Sequence, residues 1–108
     1  MKLKIDNPHH INTKNYRRDG SIVELSYIGF ETAINAADKR PYDMYKFLLH
    51  SNSTPQDIKF ELHTKINEDK RVQLNMWKGG GFTTGGISVE IIKDRDKLIN
   101  ELIKWSDR

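Results

Sequence analysis

The sequence predicts an α+β fold: an antiparallel sheet of about four to five strands packed against a C-terminal helix and a second helix. Three observations carry that expectation. Between Ile58 and Met76 apolar residues fall at every second position, the period of a strand with one wet face. Beyond Lys93 they recur at three- and four-residue spacing, the period of one helix face. The chain has 108 residues, of which 36% are hydrophobic and 31% charged, so a single domain with a small core is expected over residues 1–108.

Taken in order, Leu3 and Ile5 alternate with Lys2 and Lys4, as in a short edge strand guarded by lysines. Asp6-Asn7-Pro8 ends it, and His9 to Asp19 is polar and reads as loop. Asp19-Gly20 is a turn dipeptide, and Ser21 to Phe30 follows as a strand. Gly20 offers a hairpin here, with the polar Asn15–Arg18 segment as the other arm. Glu31 to Lys39 contains helix formers but is limited by Pro41, which also suits the first turn of a helix. Tyr42, Tyr45, Leu48 and Leu49 share a helical face, so the second helix is expected there. Ser51-Asn52-Ser53-Thr54-Pro55 is the one linker-like stretch and a possible subdivision near 51–56.

Ile58, Phe60, Leu62, Thr64 and Ile66 then alternate with Lys59, Glu61, His63 and Lys65. A polar turn at Asn67–Lys70 leads to a second alternating run, Val72, Leu74 and Met76, antiparallel to the first. Five glycines between Gly79 and Gly86 argue for an irregular, adaptable connection, because glycine loses the most backbone entropy on ordering. Ile87, Val89 and Ile91 form a third run. Leu98, Ile99, Leu102, Ile103 and Trp105 give the closing helix its stripe, with Asp94 and Asp96 at its positive end and Lys104 at its negative end. The stripe is expected to pack across the strands.

Composition narrows function more than any motif does. The net charge is +3, mildly basic, which permits a nucleic acid or an acidic protein as partner. No apolar run approaches a membrane span, and the N-terminus lacks the apolar stretch of a signal peptide, so a cytoplasmic protein with no membrane partner is expected. With no cysteine there is no disulfide framework and no thiol chemistry. His9 and His10 are adjacent and therefore point apart, while His50 and His63 are distant in sequence, so neither metal nor cofactor is expected. The glycine run lacks the phosphate-loop pattern and precedes a strand rather than a helix.

The outer face of the central hairpin is the candidate site. Lys59, Lys65, Arg71, Gln73, Trp77 and Lys78 are expected on one wet surface, with Phe82 on the glycine loop beside it. Bases stack on exposed aromatics and cations neutralise phosphate. Alternatively, Trp77 is covered by Phe30 or the Tyr42–Leu49 segment. A small ribonuclease using His63, Glu61 and Arg71 on the same face is a third-ranked reading.

Arg71-Val72-Gln73-Leu74-Asn75-Met76-Trp77, then Gly85-Gly86-Ile87-Ser88-Val89 and a terminal amphipathic helix, resembles the single-stranded-DNA-binding transcriptional coactivator family, positive cofactor four and its bacterial relatives. The resemblance covers the last 50 or so residues, and residues 1–56 have no counterpart in it. It implies a curved antiparallel sheet followed by a helix, dimers formed through the helices, and a nucleic-acid role for Lys65, Arg71, Gln73, Trp77 and Lys78.

The expectation is thus a non-catalytic protein, of the kind carried by phages or mobile elements, that binds single-stranded DNA or RNA. The alternative is an inhibitor or adaptor that binds a protein partner, as phage and immunity proteins do.

Overall fold

The computed structural model, which describes residues 2–108, contains six strands and two helices. The strands are β1 (Thr13–Tyr16), β2 (Ile22–Ile34), β3 (Pro41–Ser51), β4 (Ile58–His63), β5 (Arg71–Lys78) and β6 (Gly81–Ser88). Each pairs antiparallel with its neighbour in sequence, so the sheet is a simple meander. Helices α1 (Val89–Lys93) and α2 (Arg95–Ser106) follow the last strand. Every connection within the sheet is short, which favours this order.

One sheet face is the core. Leu25, Phe47, Leu49, Ile58, Phe60, Leu62, Leu74 and Met76 point into it and are almost wholly buried. Leu98, Ile99, Leu102 and Trp105 of α2 close over them, and Ile11, on a single 3₁₀ turn, fills the remaining corner. Asp94 caps α2, its carboxylate accepting the Lys97 amide at 3.1 Å. The expected closing helix and central hairpin are therefore present, within the expected α+β class.

Several elements differ from the sequence expectation. There are six strands, not four to five. Tyr42–Leu49 is not a helix but most of β3. Tyr45, Phe47 and Leu49 face the core at alternate positions, while Met44 and Leu48 lie on the other face. With apolar residues on both faces the alternation was masked, and the residues that remained matched a helical spacing. Glu31–Ile34 extends β2, and Ala36 and Ala37 lie in the β2–β3 turn, where Lys39 takes a positive φ of 59°. Thr13–Tyr16, expected as loop, forms β1 and pairs with Ile22–Leu25 across the Asp19-Gly20 turn. The linker-like stretch is a hairpin connection: Ser51 ends β3, and residues 52–57 join it to β4, with which it is paired. Leu3 and Ile5 are buried in the core but form no strand: their segment is tied down by an isolated bridge of Lys2 with Lys65 and by the Ile5 amide, which donates to the Tyr45 hydroxyl at 3.0 Å.

The glycine run is the largest departure. It is strand, paired with β5 along its whole length, and the connection shrinks to the two-residue turn Gly79-Gly80. Gly79 has a φ of 58°, which a side chain would disfavour. Val89 and Ile91, expected to continue that strand, are helical instead. The Ser88 hydroxyl accepts the Glu90 amide, and Val89 and Ile92 turn one face of α1 into the core.

Candidate nucleic-acid interface

The face opposite the helices is formed by the alternate residues of each strand. On β4 these are Lys59, Glu61 and His63, on β5 Arg71, Gln73, Asn75 and Trp77, and on β6 Phe82, Thr84, Gly86 and Ser88. The registers set them side by side, with Lys59 opposite Trp77, Trp77 opposite Phe82, and Gln73 opposite Gly86. The period-2 pattern thus brings Lys59, Arg71, Gln73, Trp77 and Phe82 onto one surface.

At one end is an aromatic pair. Trp77 and Phe82 lie 5.1 Å apart, tilted by 51°, and remain 36% and 54% exposed. The Lys59 ammonium sits 5.7 Å from the Trp77 ring centre, a cation over a π face. Neither Phe30 nor any helix covers Trp77. Phe30 lies on the far side of the sheet against Tyr45.

The middle is held by Asn75, which is buried although it faces outward. Its Oδ1 accepts from Gln73 Nε2 at 2.9 Å and from the Thr84 hydroxyl at 2.8 Å. Its amide nitrogen, left to donate, meets His63 Nε2 at 3.2 Å. Tyr42 stacks on the His63 ring, 5.2 Å away and nearly parallel at 15°. Burial pushes the His63 pKa down from its ordinary value, and the Glu61 charge only partly opposes it.

The other end is a corner. An open cleft of about 590 Å³ is lined by Lys2, Tyr42, Asp43, His63, Lys65, Asn67, Arg71 and Gln73. Arg71 lies across β6, its Nη2 donating to the Gly86 carbonyl at 2.9 Å. Lys65 belongs to this corner and not to the β4 ladder, which ends at His63. Lys2 pairs with Asp43 at 2.7 Å, and hydrogen bonds from Lys2 and Thr32 hold the Asp43 carboxyl below its usual range.

Lys78 is not on this face. It sits on the helix side, where its ammonium donates to the carbonyls of Ser106 at 2.7 Å and Arg108 at 3.1 Å. It closes the C-terminus of α2, where unpaired carbonyls favour a cation. The alternation itself points Lys78 away from Trp77, since neighbours on a strand face opposite ways.

Charge divides the face into two halves. From Arg71 to Ser88, β5 and β6 carry no acidic residue. Glu31 on β2 and Glu61 on β4 are met by Lys46, and Asp43 of β3, at the corner cleft, is met by Lys2. The Lys46 hydrogen bond holds the Glu31 carboxyl below its usual range and raises Lys46 in turn. The residues suggested for cleavage are engaged elsewhere: His63 with Asn75, Glu61 with Lys46 and Lys59, and Arg71 with Gly86. Sequence reasoning missed Tyr42, Asn75 and Thr84. Asn75 could have been found, since it sits between Gln73 and Trp77 on the same side of β5.

Among the described residues no three His, Asp or Glu side chains cluster as metal ligands would, and no helix is long and apolar enough to cross a membrane. The chain matches no protein-family model, no curated protein and no solved structure.

Proposed function

We propose that the β5–β6 half of the outer face binds single-stranded nucleic acid without cleaving it. The observation that carries this reading is the track along β5. An exposed tryptophan–phenylalanine pair stands at one end, amides of Gln73 and Asn75 in the middle, and Arg71 with Lys65 at the other end. Six residue steps along the strand, at roughly 3.4 Å each, make this track about 20 Å long, room for a few nucleotides. Stacking on Trp77 and Phe82 is tolerant of base identity, and Arg71 and Lys65 supply phosphate contacts. β5 and β6 add no acid to the track, and the acids beside it, Asp43 and Glu61, are paired with Lys2 and with Lys46 and Lys59. The resemblance to the coactivator family points the same way, with Lys65, Arg71, Gln73 and Trp77 in the roles it implies. Lys78 has a structural task instead, and Phe82 joins the site. The non-catalytic reading is supported by the contact of His63 with Asn75 and the ion pairs of Glu61 with Lys46 and Lys59.

The test is fluorescence anisotropy of a labelled single-stranded oligonucleotide at low and moderate salt. Trp77→Ala is expected to weaken binding by about 1–3 kcal/mol. Arg71→Ala is expected to reduce the salt dependence by about one phosphate contact. Unchanged affinity in both variants removes the track from the mechanism.

A protein partner is the second reading. It is favoured by Ile28, Phe30 and Ile34, which stand half or more exposed along the β2 arm of the long β2–β3 hairpin. Phe30→Ser would then disrupt the complex while leaving oligonucleotide binding intact.

A further inference from the structure

We infer that β6 is a dimerisation edge, which pairs antiparallel with β6 of a second copy of this chain about a two-fold axis at Thr84. Among the described residues β6 ends the sheet and is bonded to β5 alone. The β5–β6 turn closes on the pair Lys78–Gly81. A two-residue turn closes on a hydrogen-bonded pair, and such pairs alternate along an antiparallel ladder. Gly81, Thr83, Gly85 and Ile87 therefore bond to β5. The N–H and C=O groups of Phe82, Thr84 and Gly86 point away from the sheet. The Arg71 contact agrees, since its donor finds the Gly86 carbonyl free of the ladder. Among the described residues no other backbone group reaches this edge.

Edges of this kind are usually blunted by charge, proline or brevity. β1, at the opposite edge, has four residues and carries Lys14. β6 has eight residues, Gly-Phe-Thr-Thr-Gly-Gly-Ile-Ser, with no charge and no proline. Among the described residues only Arg71 crosses it.

The strand is complementary to itself, which favours a second copy as the occupant. With Thr84 opposite its own counterpart, Phe82 falls opposite Gly86 of the second copy, and Gly86 opposite the other Phe82. All three are hydrogen-bonded pairs with the outward groups in phase, the Gly86 carbonyl using its second lone pair beside its Arg71 contact. The exposed Phe82 ring then covers a glycine, a pairing that shields bare backbone. It also comes beside Arg71, which lies across Gly86, as a π face beside a cation. Thr84 meets threonine, a favourable cross-strand pair, and no like charges face each other. The two outer faces would continue as one sheet. None of this depends on nucleic-acid binding.

The test is light scattering after size exclusion over a dilution series, without nucleic acid. A concentration-dependent dimer is expected. Thr84→Pro removes an N–H that bonds nothing among the described residues, and an edge strand tolerates proline there. It should give a monomer with an unchanged far-ultraviolet spectrum. Thr84→Lys puts like charges on the axis and should weaken the dimer roughly tenfold or more at low salt, less so as salt screens them. Thr84→Cys, the lone cysteine of its chain, should oxidise to a covalent dimer, since paired Cα atoms about 5.5 Å apart lie within disulfide reach. A monomer at every concentration, or a dimer indifferent to both Thr84→Pro and Thr84→Lys, would overturn the assignment.

Discussion

Asn75 and His63 decide what the outer face can do at the scale of single residues. Gln73 and Thr84 both donate to the Asn75 carbonyl oxygen, which fixes the amide and aims its nitrogen at His63. His63 must therefore accept at Nε2, as only the neutral ring can. Protonation would set two donors against each other, and the amide cannot flip without breaking two bonds. Burial lowers the His63 pKa independently, since desolvation disfavours the charged ring. The sign follows: the folded state binds fewer protons than the unfolded chain below the ordinary imidazole value. Stability is then full above about pH 6.5 and falls as pH drops through that value toward the lower folded pKa. Urea unfolding between pH 7.5 and 5.5 should show this loss in the native chain and a smaller one in His63→Gln. Equal losses would mean that His63 is not the group responsible. This network was only half legible in the sequence. Alternation places Asn75 and His63 on one face, but it cannot say that a strand register makes them touch.

At the scale of elements, glycine and alternation have two meanings that sequence alone does not separate. Gly85 and Gly86 looked like loop because glycine costs backbone entropy, yet both sit in β6. At Gly85 the reason is packing, since a Cβ there would come within 3.1 Å of the Trp105 ring. Trp105 is buried under the sheet, bonded to Glu101, with Arg108 stacked 4.2 Å over its ring. It has little room to move. A Cβ at Gly86 would meet the Arg71 side chain at 3.2 Å, on an exposed and flexible residue. Replacing glycine by alanine gains about 0.4–1 kcal/mol from the unfolded chain, and overpacking costs about 1–3 kcal/mol. Gly85→Ala should therefore destabilise the protein, and Gly86→Ala should be near neutral, as read by denaturation midpoints. Equal midpoints would mean that Trp105 does not constrain β6. The β3 strand failed to declare itself for a different reason, because Met44 and Leu48 are apolar on its outer side. The central hairpin and α2 were legible because each has one apolar and one polar face. Turn chemistry was legible at Asp19-Gly20, where the Asp19 carboxylate accepts the Ser21 amide and Gly20 takes a φ of 84°.

At the scale of the molecule, the distribution of charge matters more than its sum. A net charge of +3 would steer a polyanion only weakly if it were spread evenly. Here Glu31 and Glu61 are met by Lys46 on one half of the outer face, and the β5–β6 half carries no acid. Association should accordingly be favoured on one half and indifferent on the other. The measurement that reads this most directly is amide and side-chain chemical-shift mapping during titration with a short single-stranded oligonucleotide at low salt. Shifts should concentrate on Trp77 and Phe82, run through Gln73 to Arg71 and Lys65, and leave Lys14, Glu24 and Glu31 unmoved. Shifts centred on β1–β3, or none at oligonucleotide concentrations well above those of the protein, would contradict the assignment of this half-face to nucleic acid.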